Sequence, residues 1–173
     1  ALWLGWHLSR RSEMLSRSLG IPLMAVQYEG NVWSRHLKSA GWSIQLLVRH
    51  RPKILFLQYS FLLLVIIAFY KVLTPYSVTV YCDCHTKALR RQLHGWGKKL
   101  FSNLKRWSMG TTDVVILSNS GQIQDLEGLT DRFLIVPDLI PTFTKDSDRK
   151  RASTYCVMSM SFDKDEPVIE LAD

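Results

Sequence analysis

The spacing of apolar positions along this chain changes period repeatedly, and each change marks a new element. Ala1 to Trp6 is an apolar run that reads as the tail of a buried strand. From Leu8 to Leu19 the residues Leu8, Met14, Leu15 and Leu19 lie on a helical stripe, and Gly20 supplies a stop. Ile21 to Tyr28 is a short β-like run. Val32 to His50 predicts a helix with Trp33, Leu37, Ile44 and Leu47/Val48 apolar. It ends before Pro52, whose ring disfavours helical backbone in the residue ahead of it. Lys53 to Tyr59 (KILFLQY) predicts a strand, Phe61 to Leu73 a very apolar helix stopped near Pro75, and Ser77 to Asp83 (SVTVYCD) a strand rich in β-formers. A long helix is expected from Thr86 to Ser108, a strand over Asp113 to Leu117, a short helix over Ser120 to Gly128 and a last strand over Phe133 to Val136.

Strands and helices that alternate through short connections are the pattern of βαβ units. The expected fold is α/β, a Rossmann-like doubly wound parallel sheet with helices on both faces. Thr142 to Ser153 (TFTKDSDRKRAS) breaks the rhythm: it is polar and charged, lacks an apolar period, and reads as a linker. After it, Thr154 to Met160 is a new strand, Phe162 to Pro167 an acidic loop, and Val168 onward the start of a helix. The expected organisation is a domain over residues 1–141, a linker over 142–153 and, over 154–173, the truncated start of a second domain. The chain is expected to be part of a longer protein.

Ile54 to Leu73 admits a rival reading. It is twenty residues with Lys71 as its single charge, long enough to span a bilayer. Gln58, Tyr59 and Ser60 interrupt it where a strand-to-helix turn falls, and the switch fits the rhythm on both sides.

Composition narrows the partners. The apolar fraction of 47% and charged fraction of 21% are those of a globular chain and exclude a disordered one. A net charge of +7 points to an anionic partner, whether a membrane surface, nucleic acid or a phosphorylated ligand. Cys82, Cys84 and Cys156 are an odd number in a chain too long to need staples, which points to a reducing compartment.

Parallel sheets bind ligands at the carboxyl ends of their strands, which singles out His7 to Ser12, Tyr59-Ser60, Asp83 to Thr86, Ser118 to Ser120 and Asp138. Asp83-Cys84-His85 sets a carboxylate and an imidazole at the end of a buried strand, fit for acid–base work or for holding a sugar hydroxyl. The alternative is that Asp83 caps the next helix. Cys82, Cys84 and His85 lack further ligands at suitable spacing, so no metal is expected. His7, Arg10, Arg11 and Ser12 open the first helix as an anion site or as a solvated basic face. Neither GxGxxG nor a Walker A sequence is present. Between Lys87 and Trp107 an apolar stripe of Leu89, Leu93, Trp96, Leu100, Leu104 and Trp107 is expected to pack on the sheet. Around it Lys87, Arg90, Arg91, Lys98, Lys99, Lys105 and Arg106, with no acidic residue between Asp83 and Asp113, are expected to face an anionic membrane surface.

Four stretches carry a family resemblance: GWHLSRRSEMLSRSLGIPL, RPKILFLQYSFLLLVIIAFY, SVTVYCDCHTKAL and SFDKDEPVIELAD. Together they resemble the N-terminal, acceptor-side domain of GT-B glycosyltransferases of the family 4-like group. The last two are also similar to dolichol-linked β-mannosyltransferases, where Asp-x-His and a Ser-(aromatic)-x-x-Asp-Glu pattern occur. The resemblance implies an enzyme that transfers a sugar from a nucleotide-sugar donor to a lipid-linked or surface-glycan acceptor, with the nucleotide sugar as co-substrate and no other cofactor. It implies that His85, with Asp83, stands beside the donor sugar, that His7, Arg11 and Ser12 line the acceptor side, and that Glu166 opens the donor domain. Nucleic acid is not an implied partner, and the expected location is cytoplasmic, peripheral at the cytoplasmic membrane face. Most of the nucleotide-binding domain is missing, so this piece alone is expected to be inactive. A different class of reading is a non-catalytic, degenerate homologue used for membrane docking or partner binding.

Overall fold

The computed structural model describes residues 1–84 and 98–137. Their order is β1 (Leu2–Gly5), α1 (Arg10–Ser18), β2 (Leu23–Ala25), α2 (Val32–His50), β3 (Ile54–Gln58), α3 (Phe61–Leu73) and β4 (Thr79–Cys84). Then follow α4 (Lys98–Gly110), β5 (Val114–Leu117), a 3-10 helix (Ser120–Leu126) and β6 (Phe133–Ile135). The expected linker over 142–153 and second-domain start over 154–173 lie outside the described residues.

The six strands form one all-parallel sheet in the order β2-β1-β3-β4-β5-β6, a Rossmann-like α/β architecture. The winding starts at β1, moves outward to β2 and returns past β1 to β3. The crevice where the direction of winding reverses therefore falls between β1 and β3.

Strand alternation divides the sheet residues into two sets. Leu2, Leu4, Leu55, Leu57, Val80 and Leu117 point to one side and form the core with Leu47 of α2, Leu63 and Ile67 of α3 and Met109 of α4. On the other side Trp3, Phe56 and Tyr81 lie in register across β1, β3 and β4. Their rings stack as a ladder, with centroids 5.2 and 4.6 Å apart. Each such pair adds about 0.5–1.5 kcal/mol beyond its burial. At the amino end of the sheet, Lys71 Nζ donates to Asp113 Oδ2 and to the Thr111 carbonyl, and Asp113 Oδ2 also accepts the Val80 N–H at 2.7 Å.

Ile54 to Leu73 resolves into β3 and α3, and among the described residues no helix is long and apolar enough to cross a membrane. Of the helix expected over Thr86 to Ser108, the described part is Lys98–Gly110.

The faces that the helices bury differ from their apolar stripes. α1 buries Arg11, Ser12 and Ser16 and leaves Leu8 and Leu19 exposed at its flanks. α2 buries Ser39, Ser43 and Leu47, while Trp33 is 79% exposed and Leu37, Ile44 and Val48 also face water. Ser39 and Ser43 take the inner side of α2, and the Ser43 hydroxyl is satisfied there. Ser43 Oγ accepts the Trp6 indole N–H at 2.9 Å and donates to the Ser39 carbonyl at 2.8 Å. In α4 the expected sheet-facing stripe turns out in part: Leu100 is exposed, and Trp107 leans on Phe69 of α3 at the surface.

Candidate functional site at the carboxyl edge of the sheet

β1 ends at Gly5, where a side chain would be crowded. A Cβ on Gly5 would lie 3.1 Å from Gln58 Oε1 and 3.1 Å from the His7 carbonyl oxygen, inside ordinary contact distance. The bare backbone of β1 lets the Gln58 side chain, at the end of β3, reach across the crevice. Gln58 is buried, and its Nε2 stands 2.8 Å from Nε2 of His7, which is exposed. As placed, the amide donates and Nε2 of the imidazole accepts, so Nδ1 carries the proton; turning the amide over reverses these roles. In either form a buried amide sets the tautomer of an exposed histidine at the switch point.

The second part of the edge is an ion pair. Ser9 caps α1, with its Oγ accepting the Ser12 N–H at 3.1 Å and its hydroxyl donating to Ser12 Oγ at 2.9 Å. That start directs Arg11 inward. Arg11 Nε donates to Asp83 Oδ1 at 2.9 Å, and its Nη2 donates to the Val136 carbonyl at 2.8 Å. Asp83 is 1% exposed. One guanidinium thus ties α1, the end of β4 and the chain leaving β6 into one unit. A pair this buried holds because each charge has the other, and removing one leaves a desolvated ion.

Below the edge lie Tyr59, Cys82 and Cys84, all in the core. The Tyr59 N–H donates to the Asp83 carbonyl at 2.8 Å. Burial, and then the two cysteines, push the Tyr59 phenol well above its ordinary range. Burial and the neighbouring Cys84, with sulfurs 3.6 Å apart, likewise push the Cys82 thiol up. Both groups are inert at neutral pH and act as packing. Among the described residues no three His, Cys, Asp or Glu side chains gather in a way that could hold a metal ion.

The structure brings together three of the sequence-derived candidates, Arg11, Asp83 and Ser12, with His7 at the same edge. Asp83 faces Arg11, and Ser12 is buried within the α1 cap. Lys98, Lys99 and Arg106 are exposed on α4, whereas Lys105 is half-buried with its ammonium pKa lowered by desolvation. His85, Lys87, Arg90, Arg91, Asp138 and Glu166 lie outside the described residues. Sequence reasoning missed Gln58 as a site residue; the available signal was an amide closing an otherwise apolar strand, ILFLQ. An open hollow of about 540 Å³ beside α1, between Leu8, Glu13, Arg17 and Pro22, includes none of His7, Arg11, Gln58 or Asp83. No protein-family model matches this chain, and no curated protein matches it.

Proposed function

We propose that this chain is the acceptor-side domain of a GT-B-type glycosyltransferase that moves a sugar from a nucleotide-sugar donor to a lipid-linked or glycan acceptor. The observation that carries the reading is the exposed His7 held by buried Gln58 at the β1/β3 crevice, where doubly wound sheets take their ligands. With the Gln58 amide turned so that Oε1 accepts the His7 Nε2–H, Nδ1 carries the lone pair that can accept a hydrogen bond from an acceptor hydroxyl and receive its proton as the glycosidic bond forms. The Arg11–Asp83 pair is a positioning element on this reading, because its charges are spent on each other. His85, two residues after Asp83, is proposed as the group beside the donor sugar. A complete enzyme needs a nucleotide-binding domain in addition.

The test is sugar transfer by the full-length parent protein from a labelled nucleotide sugar to an acceptor. His7→Ala is expected to lower turnover by roughly a hundredfold, the low end for loss of a general acid–base group, with folding unchanged by circular dichroism. Unchanged turnover in both His7→Ala and His85→Ala sinks the reading. A non-catalytic docking domain is the second reading, favoured by the enclosure of Asp83, and full-length protein that hydrolyses or transfers no nucleotide sugar would support it.

A further inference from the structure

α3 is the middle helix of the layer over the core, packed between α2 and α4. A helix lying on a sheet ordinarily turns polar residues to water. The outer side of α3 instead presents Leu62, Phe69, Val72 and Leu73, with Phe69 49% and Leu73 78% exposed. Trp107 of α4 extends this patch, its ring 4.8 Å from that of Phe69 and itself partly exposed. The helix's one charge, Lys71, is engaged by Asp113 and the Thr111 carbonyl.

The exposed charge on α2 and α4 has one sign. Residues 30–112 contain thirteen Lys and Arg and a single acidic residue, Asp83. Asp83 is buried against Arg11, so no exposed carboxylate interrupts the helices. Arg35, Lys38 and Arg49 of α2 and Lys98, Lys99 and Arg106 of α4 are exposed.

We propose that the outer face of α3 and α4 docks on an anionic lipid bilayer, with Phe69, Leu73 and Trp107 seated in the interfacial zone and the cations of α2 and α4 on headgroup phosphates. The combination decides the occupant. Exposed apolar side chains beside two helices that carry cations and no acids match an anionic surface with an apolar interior. A second copy would bring the same positive charge against itself, which disfavours the patch as a dimer interface. At thirteen residues α3 is too short to span a bilayer, so it lies in the plane of the interface. The docking does not depend on the sugar-transfer reading, and either can fail alone.

The experiment is flotation of the full chain with phosphatidylcholine vesicles, with and without phosphatidylglycerol, at low and high salt. Binding to the anionic vesicles that weakens with salt is expected, with little binding to the neutral ones. Leu73→Ser with Phe69→Ser, both at the surface, is expected to reduce partition at least tenfold with the circular dichroism spectrum retained. Lys98→Glu with Lys99→Glu is expected to reduce it by roughly thirtyfold or more, on the usual worth of a cation near such a surface. The proposal is overturned by equal binding to neutral vesicles, by no binding to either, or by variants that bind as well as the parent. A dimer in solution that the Phe69→Ser change dissociates would give the face to a second copy and overturn it equally. Sugar transfer to a water-soluble acceptor by the full-length protein should survive these variants, which separates this failure from that of the catalytic reading.

Discussion

β4 is braced by an ion pair at each end, and the two pairs are built differently. At its amino end Lys71 and Asp113 are partly exposed, and Asp113 also accepts the Val80 backbone N–H. At its carboxyl end Arg11 and Asp83 are almost fully enclosed, and Arg11 also holds the Val136 carbonyl. Water screens the first pair, so its Coulomb attraction contributes little and the backbone hydrogen bond matters more. The second pair is desolvated, which costs several kcal/mol per ion and is repaid only by close geometry. Apolar residues of similar size would often be as stable there. The enclosed pair sits at the ligand edge and joins three separate chain segments, so we read it as fixing geometry rather than as adding stability.

Five variants break or sharpen that contrast. Asp83→Ala leaves a buried guanidinium without its carboxylate, and is expected to cost about 3–5 kcal/mol in urea unfolding. The double change Arg11→Met with Asp83→Leu should recover most of that loss; a single-variant cost under about 1 kcal/mol would mean that water reaches the pair. Asp113→Ala should cost about 1–3 kcal/mol, mainly through the Val80 N–H that it strands.

Alkaline titration addresses the strand between the two braces. Burial raises the Cys82 and Tyr59 pKa values above their ordinary 9.0 and 10.0. The unfolded chain then releases protons that the folded chain keeps, so stability is full below about pH 9 and falls as pH rises through the folded values. The slope is at most about 1.4 kcal/mol per pH unit for each group. Cys82→Val should flatten the early part of that fall, and a curve unchanged by the substitution would remove Cys82 as its cause. Lys105 works in the opposite sense: its lowered pKa makes stability rise with pH below its ordinary 10.5, and its partial exposure keeps that effect small. The smallest change is expected for Lys71→Met, within about 1 kcal/mol.

The rhythm of strands and helices was legible along most of the chain, because period two and period 3.6 are local properties. The candidate edge was legible for the same reason: once the strands are parallel, the ends of β1 and β4 must lie together, which selects His7, Arg11, Ser12 and Asp83 in advance. The pairing of Arg11 with Asp83 was not legible, since it spans 72 positions and depends on how α1 settles on the sheet. Gln58 was passed over because a polar residue at a strand end looks like a turn signal until its neighbour across the crevice is known. α2 shows the limit most clearly. Its apolar residues mark an amphipathic helix, but Ser39 and Ser43 are buried and Trp33 and Leu37 meet water.

By itself the sequence determined the α/β class, the succession of elements among the described residues and the cationic character of residues 30–112. Each follows from neighbours in the chain or from composition. The tertiary structure alone decided the strand order that puts the crevice between β1 and β3, the enclosure of Asp83 by Arg11, and the outward turn of Phe69, Leu73 and Trp107. These depend on which surfaces pack, and packing is settled by the free energy of the whole layer, in which a serine that fits closely can take the inner position from a tryptophan that does not.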